Sequence, residues 1–167
     1  MKLKEVLKLY QGKQIKIGAD ISFMYCEICD ENIYDIIQKL SDERHKFIQQ
    51  KLINYKEYLK NFDKFWNEKL QRQLNNAKLN KLNRFEIQEL KERWQFEKTE
   101  DYRIMKARLE KYTEFNNNWI PFLEREVLEV YDSIVYDCKI IKIEGKEIGN
   151  FWDKDEYNKR GDMFVWK

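Results

Sequence analysis

The sequence predicts an α+β fold: a small antiparallel sheet of strands from the N- and C-terminal ends, with a long antiparallel, coiled-coil-like helical hairpin projecting from it. Three observations predict this. Strand-like alternation and short β-branched runs occur only near the two ends, as in "KQIKIG" and "CKIIKIEGKEIG". Between about residues 32 and 75 there is no Gly or Pro, and Ile48, Leu52, Tyr55, Leu59, Phe62 and Trp66 alternate spacings of four and three, a heptad-like seam. An Asn-rich interruption then precedes a second apolar stripe.

Taken in order, Leu3, Val6, Leu7 and Tyr10 form one helical stripe, with Gly12 placed to end it. Residues 13–18 and 22–29 read as a β-hairpin joined through Gly18-Ala19-Asp20. Asn32 with Asp35 marks the next helix start. A helix of about forty residues would be roughly 60 Å long, so its seam requires a partner. That partner is the next segment: a turn near residues 75–83, an Asn83/Glu86 capping box, and a stripe through Ile87, Leu90, Trp94, Tyr102, Met105, Leu109, Tyr112 and Trp119. The stripe slips at "EKTED" (97–101), where Thr99 is expected to cap a new helix after a kink, and Pro121 closes the region. In the tail, "REVLEVYDSIVY" and "CKIIKIEGKEIG" read as strands, the second as two short strands about a turn at Glu144-Gly145-Lys146. Asp153 with Glu156 marks a last helix, ending near Gly161. The expected organisation is one domain over residues 1–167. Within it, a β-rich end domain comprises residues 1–30 and 121–167, and a helical arm residues 31–120.

Lys and Arg total 32 against 30 Asp and Glu, a net charge of +2, which argues against a general polyanion binder. Charged residues make up 37% of the chain and aromatics 15%, a pairing that suits solvated helices with a ring-rich core or interface. With five Gly and one Pro, linker-like segments are not expected. No apolar run approaches the roughly 20 residues that cross a bilayer, so no membrane association is expected. The charged opening "MKLKEVLKLYQGKQ" does not read as a secretory signal. Together with an odd count of three cysteines, this predicts a cytoplasmic protein with reduced thiols.

Of the candidate chemistries, Cys26 and Cys29 form the Cys-x-x-Cys half of a zinc site. Cys138 and His45 are the only further ligands in view, the pair lies at a strand end, and buried structural thiols are the favoured reading; no metal and no cofactor is expected. His45, the sole histidine, lies in "SDERHKF" and reads as a solvated helix-face residue rather than part of a triad, since no nucleophile elbow accompanies it. No Gly-rich loop is present to wrap a phosphate. The one local charge imbalance is "KLQRQLNNAKLNKLNR" (69–84). Lys69, Arg72, Lys78, Lys81 and Arg84 stand there with no acid between Glu68 and Glu86, at the expected hairpin tip. Three readings stay open for it: phosphate contact, contact with an acidic protein surface, or solubility of the tip. Phe65, Phe96 and Phe115 fall off the seam and are candidate partner-surface residues, Phe65 and Phe96 foremost. Phe151 and Trp152 read as core.

The terminal blocks "LKEVLKLYQGKQIKIG…FMYCEIC" and "VLEVYDSI…IIKIEGKEIGNFWDKDEY" resemble small proteins encoded by phages and prophages of low-GC Gram-positive bacteria, in which such ends flank a variable charged helical stretch. The resemblance covers about a third of the chain and carries no catalytic residues. It implies an accessory role in the host cytoplasm, by binding and inhibiting a host component such as a CRISPR effector or another defence system. The leading expectation is thus a non-catalytic interaction protein with a host-protein partner, with assembly into a homodimer or higher oligomer open to it. Two alternatives stand beside it: an oligomeric sponge for a nucleotide signal, and a nucleic-acid binder acting through the basic tip.

Overall fold

The computed structural model describes residues 1–19 and 22–149, with the side chains of residues 22–27 outside that description. The fold is α+β. In chain order the elements are α1 (Leu3–Leu9), β1 (Gln14–Ala19), β2 (Ser22–Ile28), α2 (Ile33–Lys60), α3 (Phe62–Leu79), α4 (Arg84–Asn117), a 3-10 turn at Phe122–Glu124, β3 (Val127–Ser133), β4 (Cys138–Ile143) and α5 (Lys146–Gly149). The last helix expected from Asp153, and the core placement of Phe151 and Trp152, lie outside the described residues.

The chain divides into two compact units, one of Met1–Lys46 with the chain from Trp119 onward, the other of Phe47–Asn118. The division falls inside α2, so its first turns belong with the sheet and not with the helical arm. The reason is visible in their side chains. Ile33, Ile37, Ser41 and Arg44 recur along one helical face, and all four are buried in the first unit.

In that first unit the sheet has strand order β2-β1-β4-β3. Both ends of the chain contribute a hairpin, as the end-clustered strand signals predicted. The sheet is mixed rather than wholly antiparallel, because β1 and β4 pair in parallel, with Ile17 opposite Ile141. The entry of the second hairpin sets this sense. Leu3 N donates to Arg125 O (2.9 Å) and Val127 N to Met1 O (2.8 Å). Those bonds hold the returning chain beside α1 with β3 outermost, and the β3–β4 turn then carries β4 inward alongside β1. The core is aliphatic: Leu3, Val6 and Leu7 of α1, Ile15 and Ile17 of β1, Ile141 and Ile143 of β4, with Phe122 and Ile148. The helix ends at Leu9 with Tyr10 as its C-cap, and Gly12, expected to end it, lies in the turn beyond with φ +82, a left-handed conformation that glycine adopts at no steric cost, its N–H donating to Cys29 O.

Residues 146–149 form a helical turn, where a second short strand was expected. Two buried arginines grip this turn. Arg44 donates through Nη2 to Glu147 O, and Arg125 donates through Nη1 to the Glu147 carboxylate and to Glu144 O (3.0 Å). Arg125 also donates through Nε to Ile120 O (2.8 Å), and its guanidinium lies 4.8 Å from the Trp119 ring and 4.9 Å from that of Phe122. Glu147 thereby meets both guanidinium groups, its carbonyl accepting from Arg44 and its carboxylate from Arg125. Gly145 has no room for a side chain: a Cβ there would lie 2.7 Å from Ile148 Cδ1 and 3.2 Å from Arg125 Nη1.

Two further expectations are corrected in the helices. The outgoing helix, predicted unbroken to about residue 75, is interrupted at Asn61. There the side-chain amide donates to Glu57 O (3.1 Å), the carbonyl that also accepts from Asn61 N (3.2 Å). The returning helix, predicted to kink at 97–101, runs unbroken as α4. Thr99 does not cap. Its hydroxyl donates to Gln95 O (2.9 Å) one turn back, which is compatible with a continuous helix.

Arg125 and Glu147 are both nearly buried, with side-chain exposures of 5% and 12%. Arg125→Ala leaves the Glu147 carboxylate without its guanidinium and is expected to destabilise the protein by about 3–5 kcal/mol. Urea unfolding followed by circular dichroism checks this.

Candidate functional site

In the second unit α3 and α4 pack as an antiparallel hairpin whose register is set by polar keys between aromatic residues. Asp101 of α4 accepts from the Tyr58 hydroxyl of α2 and from Trp66 Nε1 of α3 (3.2 Å). Trp94 Nε1 donates to Trp66 O (2.8 Å). Phe62 packs on Trp66 and Tyr102, with ring centroids 6.0 and 5.2 Å apart. Lys98 pairs with Asp63 (3.1 Å) on one flank and Lys69 with Glu97 (4.0 Å) on the other. One carboxylate thereby ties three helices together and fixes which residues reach the tip.

The α3–α4 turn is a Schellman closure. Lys81 N donates to Lys78 O (3.2 Å) and Leu82 N to Ala77 O (3.0 Å), with Asn80 as the C-cap. Asn83 then caps α4, its Oδ1 accepting from Glu86 N at 2.8 Å, which is the N-cap half of the capping box expected there. The left-handed position that such a closure requires is occupied by Lys81, with φ +53, where glycine is the usual occupant.

Of the basic residues singled out in the sequence, Arg72, Lys78, Lys81 and Arg84 are exposed and form no ion pair among the described residues. Lys69 is different. It is half-buried, its ammonium 4.4 Å from the Trp66 ring and paired with Glu97, so it belongs to the hairpin's packing. Two apolar residues that sequence periodicity did not single out stand among the free cations: Leu79, 80% exposed, and Phe85, 71% exposed. Their signal was their position, in the eight residues around the Asn-rich break where the seam has no facing helix.

Phe65 is 42% exposed and packs edge-on against Trp66, and Phe96 is 68% exposed. Phe96 lies two residues beyond Trp94, whose indole faces α3, so it falls on the far side of α4 and away from the tip. Phe115 is half-buried against Tyr112. The tip is bounded along α4 by a groove of about 550 Å³ lined by Leu82, Glu86, Glu89, Leu90, Glu92 and Arg93, which places three carboxylates on the α4 side of the turn.

Cys29 is buried. Its thiol donates to Leu7 O (3.3 Å), accepts from Gln11 Nε2 (3.4 Å), and is pushed up in pKa by burial. The Cys26 side chain lies outside the description, and among the described residues no group of three or more His, Cys, Asp or Glu is placed to hold a metal ion. His45 is not a solvated helix-face residue. It is half-buried and stacks on Trp119, with centroids 4.8 Å apart and planes 9° from parallel. No helix among the described residues is long and apolar enough to cross a membrane. Compared with protein-family models, curated proteins and solved structures, the chain matches none.

Two predictions follow from the hairpin. Burial, and then the hydrogen bond to Asp101, pushes the Tyr58 hydroxyl up to about 12. A phenol held protonated in the fold contributes stability that is complete below the ordinary tyrosine value near 10 and is lost as pH rises through about 12. Alkaline unfolding of wild type and Tyr58→Phe therefore diverges below that window and converges above it. Lys81→Gly relieves the left-handed backbone and is expected to stabilise the protein by about 1 kcal/mol, read as a raised urea midpoint.

Proposed function

We propose that this chain is a non-catalytic interaction protein that engages its partner through the α3–α4 tip, and that it is a phage-encoded antagonist of a host defence component. The observation that carries the first part is the tip itself. Lys78, Lys81 and Arg84 are exposed without a carboxylate partner among the described residues, and Leu79 and Phe85 project among them. Exposed apolar side chains set among cations have the composition of a contact surface: the apolar groups are buried on association, and the charges steer and align an anionic partner. The phage origin and the host target rest on the likeness of the two terminal blocks to phage and prophage proteins.

The test is a plating assay in a host with an active CRISPR or nucleotide-signalling defence. Expression of wild type should restore phage plating. Lys78→Glu, Lys81→Glu and Arg84→Glu combined should lower that restoration about tenfold or more, the scale of one contact hot spot, with circular dichroism unchanged. Undiminished activity in the triple variant would remove the tip as the working surface.

A further inference from the structure

We infer that the anionic group taken by the tip is the phosphate backbone of a single-stranded nucleic acid, with Phe85 as the ring on which a base stacks. The inference rests on the tip being the working surface and specifies what that surface recognises.

Three observations carry it. The first is the donor inventory. Between Glu68 and Glu86 the polar side chains are Arg and Lys together with Gln71, Gln73, Asn75, Asn76, Asn80 and Asn83, and none is a carboxylate. Cations suit phosphate oxygens, and amides suit both phosphates and base edges.

The second is the backbone at Lys81. Its φ of +53 is disfavoured for any residue with a side chain, and glycine would relieve it at a position whose closure needs no side chain. Observed backbone strain of this kind points to a use for the side chain that is held there. Lys81 is the central cation of the tip, between Lys78 and Arg84.

The third is the arrangement of ring and acids. Phe85 is 71% exposed in the first turn of α4 and leaves a ring face open to solvent on the same turn that carries Arg84. The carboxylates of Glu86, Glu89 and Glu92 line the adjoining groove on α4. A duplex lying along the hairpin would meet those carboxylates, whereas a single strand crossing the turn meets cations, amides, Leu79 and the ring.

The experiment is fluorescence anisotropy of a labelled single-stranded oligonucleotide, as DNA and as RNA, titrated with the full chain at about 50 mM salt and again at about 200 mM. Three cations on a single strand predict a slope of log affinity against log salt of about −2, so affinity should fall roughly twentyfold across that range. Lys81→Gly should make the slope shallower by about 0.7 while raising stability, which separates lost binding from lost folding. Phe85→Ala should weaken binding about tenfold with the slope unchanged.

Absence of binding at the lower salt overturns the inference. So does binding that both variants leave intact, or binding to phosphatidylserine-containing vesicles in place of the oligonucleotide. If the oligonucleotide does not bind while the triple charge reversal still abolishes plating, the phosphate assignment falls and the tip remains the working surface. If the triple variant keeps its plating activity, the tip falls with it.

Discussion

The parallel pairing of β1 with β4 is the constraint on which the sheet unit depends. Each end of the chain supplies only a two-stranded hairpin, and an isolated hairpin is marginal in water. Neither is stable until Ile17 and Ile141 come into register and the aliphatic faces of both close over α1 and the first turns of α2. The closure is non-local and carries a loop-entropy cost, and the two buried arginines help to offset it. Arg125 joins the segment entering β3 to the segment leaving β4, and Arg44 brings the start of α2 onto the same turn. A short tail strand sequence thus ends in a one-turn helix that offers the Glu147 carbonyl to Arg44 and the Glu147 carboxylate to Arg125.

The helical unit is organised by the same principle on a smaller scale. Its seam is rich in rings, and rings alone specify a hairpin's register loosely. Asp101 sharpens it, since only one register brings the Tyr58 hydroxyl and the Trp66 indole to a single carboxylate. The positions reaching the turn are then determined, and at the turn the sequence departs from what stability would select. A lysine occupies a glycine position, and a leucine, Leu79, and an aromatic residue, Phe85, face outward. A left-handed lysine and two exposed apolar side chains within one turn are local departures of the kind that a binding surface leaves behind.

Much of the fold was legible in the sequence, because its signals were periodic. The α1 stripe, the two end hairpins and the Asn83 cap all follow from spacing and from Asn, Gly and apolar placement. What was not legible depended on partners distant in sequence. The helical turn at Lys146 looks like a strand until Arg44 and Arg125 are placed against it. Thr99 looks like a cap until its hydroxyl is seen to bond within an unbroken helix, and Asn61 interrupts a helix through an amide that sequence reading passes over. The stacked His45 needed Trp119, far along the chain. At the candidate site the cations were visible as a run without acids, but Lys69 could be told from Lys78 only by its contacts with Glu97 and Trp66. Leu79 and Phe85 became candidates only when their exposure was known.

The most direct test of the tip as the working surface is residue-by-residue backbone amide NMR of the full chain, recorded while a single-stranded oligonucleotide is added at low salt. The account predicts chemical-shift changes concentrated in Lys78–Phe85, with the β1–β4 residues unmoved. Changes centred on the sheet, or spread evenly over the charged helix faces, would contradict it.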